Sequence, residues 1–305
     1  MSATHFGDRL ADAVAARESQ IVLGLDPDPG KLWPVGNAAG ENAVGSAAER
    51  AAEAVVAHCE AAIAAVADAC VGCKPQVACF ERLGTPGRQA LERVTASAQA
   101  HGLLVIADAK RGDIDVSAKA YAQAFLGTTA TPYGEVDGLA ADAVTVNPYL
   151  GPDTLEPFAG AAREHGRGLF VLVRTSNPGA AQLQDAELVS GGTVWEHVAR
   201  MVAALADPGE SGIASIGAVT GATVPEHLAR LRELMPSTPF LLPGIGAQGG
   251  QVGDTAPAFA PGRAGGLVTS SRGIVNAHEQ HGGEPADAAR AEAERLREQA
   301  WALAV

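Results

Sequence analysis

Eight short runs rich in Val, Ile, Leu and Ala recur along the chain, each closed by Gly, Pro or polar residues. They are IVLGLD at 21–26, CVGCKPQ at 70–76, LLVIADAK at 103–110, AVTVNPY at 143–149, GLFVLVRTS at 168–176, IGAVTGA at 216–222, FLLPGIG at 240–246 and GLVTSSRG at 266–273. They do not alternate polar with apolar, which is the pattern of strands covered on both faces. Stretches with helical character lie between them, at about 47–67, 87–100, 115–126, 154–165, 193–205, 224–235 and 286–303. VPEHLARLRELM at 224–235 shows the type, with Pro in its first turn and a Leu/Met stripe at helical spacing. Strands alternating with helices imply parallel pairing through right-handed crossovers. Eight such units predict an α/β fold, a (β/α)8 TIM barrel, over an open doubly wound sheet. No G-x-G-x-x-G follows the first run, which weakens the dinucleotide-binding alternative.

The 305 residues then divide as one barrel domain: an N-terminal helix within 1–20, the barrel at 21–275 and a C-terminal helix within 276–305. Connections at 27–46, 127–141, 177–192 and 250–264 are long and rich in Gly, Pro, Ala or Asp, and are expected to be lids or disordered insertions. Those at 177–192 and 250–264 are expected to be mobile without ligand.

Composition narrows the function. Aromatic residues make up only 4% of a chain that is 47% hydrophobic, so the core must be aliphatic. A net charge of -13 argues against nucleic-acid binding, which needs a basic footprint. No apolar run approaches the roughly 18–20 residues of a membrane span. The N-terminus carries Asp8, Asp12 and Glu18 without an apolar core, so it does not read as a secretory signal, and a cytoplasmic location is expected. Cys70 and Cys73 form a C-x2-C, but no second pair and no His pair follows at ligand spacing. Cys59, Cys70, Cys73 and Cys79 are therefore read as small buried residues, and no metal is expected.

In a barrel, chemistry collects at the C-terminal ends of the strands. Those ends carry Asp26, Lys74 with Gln76, Asp108 with Lys110, Asn147, Thr175 with Ser176, PGIGAQGG at 243–250 and SSRG at 270–273. The last two fall where barrels commonly bind phosphate: Gly244 and Gly246 open a path to backbone N–H groups, Gln248 is polar, and Arg272 supplies a bidentate cation. The glycines alone could equally make tight turns. In DAKRGDI at 108–114, Asp108, Lys110 and Asp113 join Lys74 in an alternating set of charges. A structural ion cluster is the plain alternative, but buried ion pairs stabilise poorly compared with apolar packing, and strand-end clusters are where pKa values are tuned.

DAKRGDI matches the D-x-K-x-x-D-I signature of orotidine 5′-phosphate decarboxylase. LGLDPD at 23–28, CKPQVACFE at 73–81, VTVNPYLG at 144–151, VRTSNPG at 173–179, PGIGAQGG and SSRGI follow in the family's order, so the resemblance covers about residues 20–275. The KPQ, NPY and TSNPG wording resembles the longer bacterial branch, as in mycobacteria. The resemblance implies decarboxylation of orotidine 5′-monophosphate to uridine 5′-monophosphate and CO2, the last step of UMP biosynthesis, with no cofactor. It implies a Lys74–Asp108–Lys110–Asp113 network, with Asp113 reaching the partner's site in a homodimer. Asp26 would hold ribose hydroxyls, Ser176 the pyrimidine, and Gln248 and Arg272 the 5′-phosphate. Ser117 stands where the usual pattern has Thr and keeps a hydroxyl for the ribose. Asn147 and Tyr149 occupy a branch-specific position with no assigned role.

Two rivals remain at this level. Magnesium-dependent sugar-phosphate lyases of the same barrel group share D-x-K-x-x-D, but are expected to carry an acid where this chain has Lys74. A non-catalytic nucleotide-binding barrel would not need all four network residues. Elsewhere, the eight histidines are expected at the surface, Trp33 is expected to anchor the 27–46 loop, and the Glu/Arg pattern of 286–303 reads as a solvated helix face.

Overall fold

The computed structural model describes residues 4–222, 225–245 and 250–304. Among the described residues ten strands form: β1 (Ile21–Leu25), β2 (Gly72–Pro75), β3 (Leu104–Arg111), β4 (Thr128–Thr131), β5 (Gly134–Asp137), β6 (Ala143–Val146), β7 (Gly168–Arg174), β8 (Ile216–Thr220), β9 (Phe240–Leu242) and β10 (Gly266–Ser270). Eight of them close a parallel barrel in the order β1-β2-β3-β6-β7-β8-β9-β10, with β10 pairing back onto β1. Helices Ala47–Val66, Gly84–Ala100, Asp115–Phe125, Glu156–His165, Val194–Leu205, Pro225–Leu234 and Pro285–Leu303 fall where the hydrophobic pattern places them. Local chemistry sets two of their starts: Ser46 with Glu49, and Thr193 with Glu196, form reciprocal capping boxes.

The absence of alternation now has a geometric cause. Ile21, Leu23 and Leu25 face the helices, whereas Val22 faces the barrel interior with Ile106, Phe170 and Leu241. Both faces are dry, so both are apolar. The N-terminal helix Phe6–Arg17 closes one end of the barrel, with Phe6 edge-on to Phe170 at 6.3 Å between ring centroids. It fits because Gly168 has no side chain: a Cβ there would lie 2.5 Å from the Phe6 ring. Asp142 fastens the plug, accepting from Arg9, from Arg167 at 3.0 Å and from the Val105 N–H at 2.9 Å. With that end sealed, the mouth opens at the strand C-termini.

The insertions are more ordered than expected. Residues 127–141 contain an antiparallel hairpin, β4 with β5, where a lid or disordered loop was expected; the alternating TTAT and GEVD are too short and too exposed to announce it. The 27–46 loop contains helix Pro34–Asn42. Trp33 anchors it as expected: it is buried, and its indole N–H donates to the Val275 carbonyl at 3.0 Å. His58 departs from the surface expectation. It is 3% exposed, lies beneath Trp33, and accepts that residue's backbone N–H at 3.1 Å. Burial, with His278 nearby, pushes its pKa down to about 4. The C-terminal helix buries Ala289, Ala293, Leu296 and Ala300, and its outer face pairs Arg290 with Asp287 and Arg295 with Glu292 at i,i+3. No helix among the described residues is long and apolar enough to cross a membrane.

Candidate active site

β2 and β3 are adjacent, with Gly72 opposite Leu104 and Cys73 opposite Val105. That register places Lys74 and Asp108 at neighbouring strand ends, and the pairing continues as an isolated bridge between Gln76 and Asp108. Past Ala107, β3 departs from regular pairing with β6. Ala107 pairs with Val144 and Arg111 with Val146, so four steps along β3 match two along β6. Lys110 lies in this slack with φ +49°, a left-handed conformation that a lysine adopts at a cost and that clusters at functional sites.

The irregularity aims the charges. Lys74 Nζ donates to Asp108 Oδ2 at 2.6 Å, and Lys110 Nζ donates to Asp108 Oδ1 at 2.6 Å. Thr145 Oγ1 donates to Asp108 Oδ1 at 2.9 Å and accepts the Lys110 backbone N–H at 2.9 Å. Gln76 Nε2 adds a longer contact of 3.3 Å to Oδ2. One carboxylate thus holds two ammonium groups, a hydroxyl and an amide. Lys74 and Asp108 are buried, whereas the Lys110 side chain is 44% exposed at the mouth. Burial alone would raise the Asp108 pKa, but Lys74 and Lys110 outweigh it and hold the carboxyl down at about 2. Burial works against the Lys74 ammonium too, yet Asp108 and then Asp26 raise its pKa above the ordinary lysine value. At neutral pH Asp108 is therefore a carboxylate and Lys74 an ammonium.

Asp113 does not complete the ladder within its own chain. Its carboxylate accepts the Ile114 N–H at 2.8 Å, and it makes no ion pair with either lysine. Ser117 is exposed in the first turn of helix Asp115–Phe125. Asn147 spends its side-chain oxygen on the Tyr149 N–H at 2.9 Å, an Asx turn that shapes the loop after β6.

Across the mouth, Asp26, Ser271 and Arg272 line one cavity of about 200 Å³ together with His58 and Asn276. Gly24 makes this possible, because a Cβ there would lie 2.5 Å from Ser271 Oγ. Ser271 Oγ instead donates to Asp26 Oδ2 at 2.6 Å. Arg272 is exposed and has no ion pair among the described residues. Gly244 has φ +107°, which a side chain would strain. Gly246 and Gln248 lie outside the described residues. Ser176 is half-buried after β7 and packs against Gly221, where an added Cβ would come within 3.0 Å of it. The cysteines are free thiols: Cys59, Cys70 and Cys73 are buried and Cys79 is half-buried. Burial pushes the Cys70 thiol up to about 12, which makes it an unreactive core residue.

Thr145 is the contact that sequence reasoning missed. It sits inside the β-rich VTVN, where threonine is an ordinary strand residue, and only the β3 irregularity brings it to Asp108.

A family model described as Orotidine 5′-phosphate decarboxylase / HUMPS family matches residues 19–290. The chain belongs to this orotidine 5′-phosphate decarboxylase family. An orotidine 5′-phosphate decarboxylase of Haloarcula marismortui is 43% identical over 277 residues, covering 90% of this chain and 88% of the relative. The enzyme of that name from Deinococcus radiodurans is 42% identical over 272 residues, covering 88% of each. The structure of Leishmania donovani OMP decarboxylase superposes with a TM-score of 0.72 at 31% identity, covering 99% of both chains. The family match spans every barrel strand, from β1 to β10, and so includes the whole lysine–aspartate ladder.

Proposed function

We propose that this chain is a carboxy-lyase that converts orotidine 5′-monophosphate to uridine 5′-monophosphate and CO2, the last step of UMP biosynthesis. The observation that carries the reading is the hydrogen-bonded Lys74–Asp108–Lys110 ladder at the mouth of a barrel of this family. Loss of CO2 from C6 leaves an electron pair in the plane of the ring, where π-delocalisation spreads it poorly. The protein must supply both electrostatic stabilisation and a proton. Lys110, the exposed ammonium of the ladder, does both: it faces the developing negative charge and then protonates C6. Asp108 beside the departing carboxylate raises the energy of the bound substrate and holds the Lys110 side chain in place. Lys74, buried behind it, holds Asp108 in place.

The remaining roles are those that the family resemblance implies. Asp26 holds ribose hydroxyls, Ser176 the pyrimidine, and Arg272 the 5′-phosphate with Gln248 and the backbone around Gly244 and Gly246. Binding energy from the phosphate is spent on ordering loops 177–192 and 250–264 over the substrate. The active unit is a homodimer in which Asp113 reaches the partner's ladder, with Ser117 beside the ribose. What supports this is that the Asp113 carboxylate pairs with neither lysine, and the apolar surface around it: Ile114, Val116, Tyr149 and Leu150 are 53%, 83%, 76% and 50% exposed. The KPQ, NPY and TSNPG wording supports assignment to the longer bacterial branch, and a cytoplasmic location fits the reading.

A magnesium-dependent sugar-phosphate lyase is the second reading. The geometry works against it, because Lys74 stands where an acid is needed and both Asp108 oxygens are already held by ammonium groups. The deciding experiment is turnover of orotidine 5′-monophosphate, followed by absorbance on EDTA-treated protein with Lys110→Ala as control. Turnover that survives EDTA and vanishes in the control is expected. No turnover, or turnover of a sugar phosphate only after magnesium is restored, overturns the proposal.

A further inference from the structure

Arg111, the charge inside DAKRGDI, has no part in the chemistry above, yet it follows Lys110 directly. We propose that Arg111 is a positioning residue that, through its guanidinium and its backbone, ties together the segments around the lysine–aspartate ladder. The inference rests on the decarboxylase reading and deepens it.

Its first tie is to Glu81, with which the guanidinium forms an ion pair. Glu81 ends the short helix Val77–Glu81, which continues from Lys74 and Gln76 on β2. Its second tie is to the helix Asp115–Phe125, which begins just beyond Asp113. The guanidinium carbon lies 5.5 Å from the Tyr121 ring centroid and 5.7 Å from that of Phe125. Its third tie is through the backbone. Arg111 pairs with Val146 on β6, and its carbonyl accepts the Asn147 N–H at 2.7 Å. Lys110 is thus held from both sides, by Thr145 Oγ1 on its own N–H and by the anchored residue that follows it. A lysine at φ +49° persists only where its surroundings over-determine it.

The side chain has to be arginine. Lysine offers neither a fork for Glu81 nor a planar face for two rings. Arg111 Nε is buried with no hydrogen-bond partner among the described residues, so the group is partly desolvated and leans on Glu81 and the rings. The competing explanation is an ordinary surface ion pair, since the Glu81 side chain is 46% exposed. Such a pair would affect stability alone.

The two differ in kinetics. Arg111→Met keeps the apolar stem and removes the fork. We expect kcat for orotidine 5′-monophosphate to fall about 10- to 100-fold, the effect of displacing a reacting group by about an ångström. KM, and the Kd of uridine 5′-monophosphate by titration calorimetry, should stay within about threefold, since the groups around Asp26 and Arg272 are untouched. Arg111→Lys should lie between, and Glu81→Gln should move in the same direction by less. If Arg111→Met does not fold, those two variants carry the test. A kcat within about twofold of wild type in the folded variants overturns the inference, as does a loss that only tracks Tm across the series. Wild-type protein inactive on orotidine 5′-monophosphate sinks the functional reading and this inference with it. An active wild type with indifferent variants sinks the inference alone.

Discussion

Replacing Asp108 by Asn keeps the shape of the ladder and removes its central charge. Asp108 ionises at about 2 in the folded chain against an ordinary 3.8. A folded pKa below the unfolded one means that the carboxylate contributes stability above about pH 4, and that this contribution is lost as the pH falls from about 4 to about 2. The difference corresponds to ~2 kcal/mol. Lys74 supplies most of it, because Lys110 is 44% exposed and solvent screens its share. The variant loses more than this amount, since Lys74 remains buried without the carboxylate that neutralised it. Breaking one side of a buried pair costs about 3–5 kcal/mol, and we expect a loss of that size at pH 7. Urea unfolding of wild type and Asp108→Asn at 25 °C measures it, repeated at falling pH. The gap should narrow by about 2 kcal/mol as the pH drops from about 4 toward about 2. Lys74→Met with Asp108→Leu should recover most of the loss, because two apolar groups leave nothing unpaired. An Asp108→Asn protein as stable as wild type at pH 7, or a gap that does not narrow with acid, would refute the reasoning.

Two other outcomes follow from the same geometry. Thr145→Val removes the hydroxyl shared by Asp108 and the Lys110 N–H; it should lower stability by about 1–3 kcal/mol and kcat by about tenfold, with Thr145→Ser near wild type in denaturation and steady-state kinetics. Mixing inactive Lys110→Ala and Asp113→Ala proteins and allowing subunits to exchange should restore about one quarter of wild-type activity, because half of the dimers become mixed and each has one intact site. No recovery despite demonstrated exchange would place Asp113 outside the partner's site.

Much of this molecule was legible along the chain. A strand dry on both faces has to be a continuous apolar run, and a helix on a barrel has to be amphipathic, so the eight runs and the helices between them marked the architecture. Lys74, Asp108 and Lys110 were legible for a related reason: charge at the end of a buried strand is too costly to be incidental. The hairpin at 128–137 was not, because its short exposed strands carry no burial pattern. His58 was not, because an isolated histidine on a helix gives no sign of the tryptophan that covers it.

What the sequence by itself determined was the set of elements and the residue types at their ends, since both follow from local periodicity and from the cost of burying charge. The tertiary structure alone decided who meets whom. The four-against-two register of β3 and β6 turned an ordinary strand threonine toward Asp108 and put Lys110 at φ +49°. The packing of two helices against one guanidinium gave Arg111 its side-chain contacts. Such contacts depend on the pairing of residues far apart in the chain, and their energy comes from burial that exists only once the barrel has closed.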